Sequence, residues 1–255
     1  MKGIVLAGGS GTRLYPLTKV TNKHLLPVGK KPMILHAIDK LIEASVVDIM
    51  VVTGTEHMGD MVSLLGSGKD YGCKLTYRVQ DEPDGIAGAL LLCEDFVGKD
   101  PTAVVLGDNI FSDSLTPVID KFKSIKYASA NPVCTLALCE VDDSHRFGVA
   151  EIIGDRIAGI EEKPKYPKSN FCVTGIYIYD ENVFSYIRNL KVSNRNEYEI
   201  TDVNNQYISE GTASYVQLKG SWSDAGTHDS YHKANILAEE LVTLSFGTKN
   251  LKYPD

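Results

Sequence analysis

The chain has 255 residues, enough for one α/β domain with a large core, and its 43% apolar and 23% charged residues exclude long disorder. A net charge of -7 excludes a nucleic-acid backbone as the main partner, which usually leaves a basic excess, while a few placed cations still suffice for a small anion. The five cysteines form no CxxC pair and read as reduced thiols of a cytoplasmic protein, and four apolar residues before the glycines are too few for a signal peptide's apolar region while no run approaches transmembrane length, so export and membrane spanning are both disfavoured.

The first expected strand, residues 3–7, is short and apolar, and it breaks into Gly8-Gly9-Ser10-Gly11-Thr12-Arg13. Three glycines in four residues remove side chains where a ligand must approach the backbone, and Arg13 and Lys23 make that ligand an anion. Neither familiar phosphate loop fits. A Walker loop needs Gly-Lys followed by Ser or Thr, and a dinucleotide fingerprint starting at Gly9 needs a small residue where Leu14 stands. That failure argues against a nicotinamide dehydrogenase. Pro32 suits the first turn of a helix in which Ile34, Ile38, Leu41 and Ile42 share a face. Strands at 49–53, 75–79 and 103–106 then alternate with helices at 56–65, 86–96 and 115–123, the rhythm of a parallel sheet with crossover helices. From Pro132 the pattern changes to strands at 133–141, 148–153, 156–161 and 173–179, with a Gly154-Asp155 turn, before helices at 181–189, 200–209 and 227–241. The expected fold is α/β: a Rossmann-like, doubly wound, mixed but mostly parallel sheet with an inserted ligand-covering portion, forming one domain over residues 1–255.

Open α/β sheets bind ligands at the carboxyl ends of their strands, so the residues after each strand carry the chemistry. After the third strand comes Gln80-Asp81-Glu82-Pro83-Asp84-Gly85, and after the fourth Gly107-Asp108-Asn109. Asp108 reads either as a helix cap or as a ligand for a hard divalent cation. Asp224, in the turn Gly220-Ser221-Trp222-Ser223-Asp224-Ala225-Gly226-Thr227, supplies a second carboxylate, and the pair suits Mg²⁺ bound to substrate phosphates. Glu161-Glu162-Lys163-Pro164 reads either as a solvated charged turn or as part of the site. The six histidines show no metal spacing, and Ser10 and Ser223 lack a base partner, which disfavours a nucleophilic triad.

Taken together, Leu6-Ala7-Gly8-Gly9-Ser10-Gly11-Thr12-Arg13-Leu14-Tyr15-Pro16, Lys23-His24-Leu25-Leu26-Pro27-Val28, Lys31-Pro32-Met33, Val79-Gln80, Asp84-Gly85-Ile86-Ala87 and Leu106-Gly107-Asp108-Asn109 resemble the sugar-1-phosphate nucleotidyltransferases, or sugar-nucleotide pyrophosphorylases. Phe147-Gly148-Val149, Glu161-Glu162-Lys163-Pro164, Val173-Thr174-Gly175, Glu199-Ile200-Thr201-Asp202 and Asp224-Ala225-Gly226-Thr227 continue the resemblance, which runs in order to about residue 240 and is closest to the short glucose-1-phosphate thymidylyltransferase branch. It implies a glycosyltransferase-A-like fold, dTTP and glucose 1-phosphate as substrates, dTDP-glucose and pyrophosphate as products, Mg²⁺ as cofactor, and a cytoplasmic homo-oligomer that binds no nucleic acid or membrane. Leu6, Ala7, Gly8, Gly9, Gly11 and Thr12 would wrap the nucleotide, Arg13 and Lys23 would hold its triphosphate, and Gln80 with Gly85 would read the base. Asp108 and Asp224 would carry Mg²⁺, with Asp108 also facing the sugar phosphate. Gly148, Glu162 and Val173 would hold the sugar, and Lys163 and Arg195 its phosphate. The resemblance implies catalytic roles for Arg13, Lys23, Asp108, Lys163 and Asp224. A uridylyltransferase and a non-catalytic nucleotide-sugar sensor are the alternatives, the second disfavoured because all five of those residues are present.

Three departures stand out. Phe147 replaces a tyrosine of many relatives, Arg195-Asn196-Glu197 replaces Arg-Gly-Glu, and the helical C-terminal extension of longer members is lacking.

Overall fold

The computed structural model describes residues 1–245, and side chains to residue 241. The strands are β1 (Lys2–Ala7), β2 (Pro27–Val28), β3 (Lys31–Pro32), β4 (Asp48–Gly54), β5 (Lys74–Gln80), β6 (Thr102–Leu106), β7 (Ile110–Phe111), β8 (Cys134–Glu140), β9 (Gly148–Ile153), β10 (Arg156–Glu162), β11 (Phe171–Tyr179), β12 (Ala213–Gln217) and β13 (Trp222–Ser223). The helices are α1 (Met33–Glu43), α2 (Met58–Leu65), α3 (Ile86–Leu91), α4 (Glu94–Val97), α5 (Thr116–Ala128), α6 (Val183–Arg188), α7 (Ile200–Ser209) and α8 (His228–Ser245).

Residues alternate between faces along a strand, and both faces of β1 are covered. Val5 and Ala7 pack with Ile34, Ile38 and Leu41 of α1, Met61 of α2 and Phe122 of α5. Ile4 and Leu6 pack on the other side with Leu90 of α3, Phe184 of α6 and Tyr207 of α7. Burying each such side chain stabilises the fold by about 1.5–3 kcal/mol, which explains why the strand is apolar throughout.

β4, β5 and β6 run parallel to β1, in the order β5-β4-β1-β6. β11 enters antiparallel beside β6, then β8 and β12 follow, so the nine-stranded sheet is mixed but mostly parallel, as expected from the sequence. The register of β11 against β8 shifts between Val173 and Tyr177. Its first part meets β9, from which the β9–β10 hairpin extends. That hairpin stands beyond the parallel part of the sheet, in the stretch where the sequence pattern changes after Pro132.

The observed boundaries differ from the expected ones in informative places. The single helix expected over 86–96 breaks into α3 and α4 at Leu92 and Cys93, where no Gly or Pro signals a break. Pro32 caps α1 from outside rather than sitting in its first turn. The Gly154-Asp155 turn is present, with Gly154 at φ 60°.

Candidate active site

A cleft of about 390 Å³ opens at the carboxyl ends of β1, β5 and β6. Gly8, Gly9 and Arg13 line it on the β1 side, Gln80 and Gly85 on the β5 side, and Asp108 at the end of β6. The glycine loop is held from below. Leu14 is fully buried against Leu26, Met33, Ile110 and Ala234, and Thr18 Oγ1 donates to Gly11 O at 2.9 Å. The residue that spoils a dinucleotide fingerprint is therefore the loop's anchor. Gly9 has φ 93° and would meet nothing within 4 Å if it carried a Cβ, so its backbone is open to a ligand.

At the end of β5, Gln80 Nε2 donates to Asp84 Oδ1 at 2.6 Å. The amide is thereby fixed, with Oε1 lying 2.8 Å from where a Cβ on Gly8 would stand. Gly85 has φ 101°, and a Cβ there would meet Tyr198 O at 2.7 Å, because Tyr198 N donates to Asp84 O at 2.7 Å. The backbone at Tyr198 thus ties the base-side loop to the chain just beyond Arg195.

Asp108 and Asp224 are brought together by the two-residue ladder of β7 and β13, which pairs Ser223 with Ile110 and Trp222 with Phe111. The residue following β13 is Asp224 and the residues preceding β7 are Asp108 and Asn109, so one antiparallel pairing delivers both carboxylates to the same end of the cleft. Trp222 Nε1 donates to Asn109 Oδ1 at 2.7 Å, Gly175 N donates to the same oxygen at 3.0 Å, and Asn109 Nδ2 donates to Asp108 Oδ1 at 3.0 Å. A Cβ on Gly175 would stand 2.7 Å from Asn109 Nδ2, so this contact at the irregularity in β11 requires glycine.

Each aspartate already faces a cation. Lys23 Nζ donates to Asp108 Oδ2 at 2.5 Å, and Arg146 Nη2 reaches Asp224 Oδ2 at 3.2 Å and Oδ1 at 3.4 Å. Burial works to raise the Asp108 carboxyl, but the charges of Lys23 and the hydrogen bonds from Lys23 and Asn109 leave it below the usual carboxylate range. Next to Lys23, His24 is buried and neutral: burial first and Lys23 second push it down to about 3, and Asn22 Oδ1 lies 2.7 Å from its Nδ1. His24 packs against Gly107, where an added Cβ would stand 2.9 Å from its Cδ2.

The opposite wall, toward Gly148, Glu162 and Arg195, is built from side chains. Thr201 Oγ1 donates to Glu162 Oε2 at 2.6 Å, and Gly148 lies against the same carboxylate. Arg195 is clamped by Glu199, with Nε to Oε1 at 3.0 Å and Nη2 to Oε2 at 2.6 Å, while Glu162 and Glu197 lie 3.3 and 3.5 Å from Nη2. Asn196 takes φ 60°, the left-handed conformation that the glycine of related loops supplies without strain and that asparagine tolerates. Asparagine in place of glycine therefore leaves this backbone conformation accessible. Lys163 has φ 47° and its N–H donates to Phe147 O at 2.9 Å, while its half-exposed ammonium lies 3.5 Å from Glu162 Oε1.

Of the residues singled out from sequence, Leu6, Gly8, Gly9, Arg13, Lys23, Gln80, Gly85, Asp108, Gly148, Glu162, Lys163, Val173, Arg195 and Asp224 all line this one cleft. Ala7, Gly11 and Thr12 do not: Ala7 is fully buried at the end of β1, and Gly11 and Thr12 shape the turn. Sequence reasoning passed over Arg146, Glu199 and Thr201 as individuals. Glu199 carried a signal, four residues from Arg195, and Thr201 lay in a quoted motif. Arg146 carried none. Among the described residues no group of three or more His, Cys, Asp or Glu is disposed to hold a metal; Glu162, Glu197 and Glu199 also line the cleft, and Asp108 and Asp224 are the two carboxylates that the β7–β13 ladder sets together. Hard oxygen donors, both already compensated by positive charge, fit a divalent ion that takes its remaining ligands from phosphates and water.

Residues 2–240 match the family model described as Nucleotidyl transferase. The chain is 45% identical over 250 residues to a glucose-1-phosphate thymidylyltransferase of Neisseria meningitidis, covering 96% of this chain and 84% of that protein. It is 42% identical over 240 residues to one from Mycolicibacterium smegmatis, covering 90% and 79%. A crystal structure from Bacillus anthracis, assigned as a glucose-1-phosphate thymidylyltransferase and holding sucrose, superposes with a TM-score of 0.89 at 57% identity, covering 94% and 96% of the two chains. A UDP-glucose pyrophosphorylase bound to UDP-glucose superposes at 0.79 with 27% identity, covering 94% and 98%.

Proposed function

The chain belongs to the nucleotidyl transferase family, and from that premise we propose that it joins dTTP and glucose 1-phosphate into dTDP-glucose with release of pyrophosphate. An oxygen of the sugar phosphate attacks the α-phosphorus in line, forming one P–O bond as the bond to the pyrophosphate oxygen breaks. The nucleophile is already an anion, so no enzyme nucleophile or covalent intermediate is needed, and the protein's task is to align two polyanions and offset their repulsion. Arg13 and Lys23 hold the triphosphate over the open backbone of Gly9. Gln80 and Gly85 face the base, and the fixed orientation of the Gln80 amide supports that role. Glu162, held by Thr201, accepts hydrogen bonds from sugar hydroxyls beside Gly148 and Val173, and Arg195 and Lys163 meet the sugar phosphate. Asp108 and Asp224 would hold Mg²⁺, which when bound neutralises charge developing on the phosphates.

The observation that carries this reading is the β7–β13 ladder, which sets two carboxylates remote in sequence at one end of a cleft lined with cations. A single continuous sheet supports one nucleotidyltransferase domain. The free cysteines support a cytoplasmic location, no helix among the described residues is long and apolar enough to cross a membrane, and self-association rests on the resemblance alone. The test is a panel of four sugar 1-phosphates against dTTP, UTP, CTP and GTP with Mg²⁺, scored by pyrophosphate release. Fastest turnover with dTTP and glucose 1-phosphate is expected. Faster turnover with UTP makes the protein a uridylyltransferase, and no release with any pair makes it a binding protein.

A further inference from the structure

Arg146 lines the cleft, yet the proposed reaction gives it no role. It ends the short turn Ser144–Arg146, and its guanidinium lies 5.0 Å from the ring centre of Phe147, which in turn packs edge-on to Trp222 at 5.2 Å. Trp222 stands two residues before Asp224, so the arginine and the aspartate are fixed to one aromatic pair. The two carboxylates that Arg146 touches are unequal. Nη1 meets Asp143 Oδ2 at 2.6 Å, whereas Nη2 meets Asp224 only at 3.2 and 3.4 Å. Asp108, by comparison, is held by Lys23 at 2.5 Å.

We propose that Arg146 is a built-in counter-cation that occupies Asp224 in the free protein and competes with the divalent ion for it. The inference rests on the reading of Asp224 as a cation ligand. A guanidinium keeps its charge at any working pH, so it and a divalent ion repel one another on one carboxylate. Arg146 can release Asp224 without becoming an uncompensated charge, because its shorter hydrogen bond to Asp143 remains. Asp143 is thus the resting partner of Arg146, and the pair acts as a positioning device for Asp224. In the free state the device keeps an uncompensated carboxylate from repelling an incoming triphosphate. Once the ion has replaced it, the arginine adds positive charge at the cleft wall between Phe147 and Asp143.

The test is Mn²⁺ binding to the substrate-free protein, read by electron paramagnetic resonance, with thermal unfolding in EDTA and in Mn²⁺ as the companion. Competition is a negative coupling between two ligands, so Arg146→Met tightens Mn²⁺ by roughly tenfold and Arg146→Lys by less. Arg146→Met also unfolds earlier than the wild type in EDTA and gains more from Mn²⁺. Asp143→Asn gives the opposite sign: Arg146 turns wholly to Asp224, and Mn²⁺ binds several-fold more weakly. A role confined to holding the fold would weaken Mn²⁺ binding in Arg146→Met or leave it alone, and either result overturns the proposal, as does an unchanged affinity in Asp143→Asn. Asp224→Asn serves as the control. If it retains wild-type Mn²⁺ binding, the reading of Asp224 as a ligand is what fails; if it loses the ion while the other variants do not respond, only the role of Arg146 fails.

Discussion

On the wall of the cleft proposed for the nucleotide the exposed surface is largely backbone: Gly8 and Gly9 follow a strand buried from Gly3 to Ala7, and Gly85 takes a conformation fixed by the backbone of Tyr198. On the wall proposed for the sugar it is largely side chain, and its cations come already paired, Arg195 with Glu199 and Glu162, Arg146 with Asp143 and Asp224. Backbone sites are rigid and present fixed N–H groups, which suits a triphosphate whose phosphates are common to many ligands. Side-chain sites can discriminate, because each hydroxyl or phosphate must find a partner held at the right angle. Pre-paired carboxylates supply that hold, since each arginine is already fixed by its ion pairs.

This comparison can be broken or sharpened by substitution. The largest effect is expected where the halves meet. Asp108→Asn removes the charge that Lys23 and the cation share and should lower kcat/KM by about 10²- to 10⁴-fold, roughly 3–5 kcal/mol of transition-state stabilisation, with little change in thermal unfolding. Near-normal turnover would reduce Asp108 to a structural turn residue. On the sugar side, Glu199→Ala frees Nε and Nη2 of Arg195 from their clamp and should raise KM for glucose 1-phosphate about tenfold, ~1.4 kcal/mol, while KM for dTTP moves little. Equal changes in both constants would show that the clamp serves the whole cleft. On the base side, Gln80→Ala should raise KM for dTTP about three- to tenfold and leave that for glucose 1-phosphate, in line with the worth of one neutral hydrogen bond. A larger rise for the sugar phosphate would place Gln80 in the wrong half.

The smallest effect concerns stability rather than turnover. His36 is buried, lies 2.9 Å from Val28 O through Nε2, and is pushed down to about 3, by burial first and by Lys31 second. The unfolded chain takes up a proton near pH 6.5 that the folded state refuses, so stability is full above about pH 6.5 and is lost as pH falls toward about 3. His24 behaves alike. His36→Gln should therefore flatten the fall of Tm across that window without altering substrate constants; an unchanged slope would mean that other groups govern acid lability.

What the sequence disclosed follows the same division. Strands buried on both faces are apolar runs, so β1, β4 and β6 stood out within a residue of their ends, as did the partly exposed edge strand β5 by the alternation of Leu75, Tyr77 and Val79 with polar residues, and a glycine cluster after a strand announces an anion. β12 escaped because it lies beside β8 at the sheet margin, half-buried, and mixes polar with apolar residues. The ladders β2–β3 and β7–β13 are two residues long, too short for any periodicity to register. The second of these matters most, since it alone explains how Asp108 finds Asp224. The pairing of Arg146 with Asp143 and Asp224 is a matter of tertiary placement, and a lone arginine in a polar turn looks like any solvated cation.

The central claim is that this ladder makes Asp108 and Asp224 one cation clamp, and a double-mutant cycle on kcat/KM tests it most directly. If they share one ion, removing either carboxylate already misplaces it, so Asp108→Asn combined with Asp224→Asn should be only slightly worse than the poorer single variant, with raised Mg²⁺ partly rescuing the singles. If the two logarithmic losses simply add, the aspartates act independently and the shared clamp is contradicted.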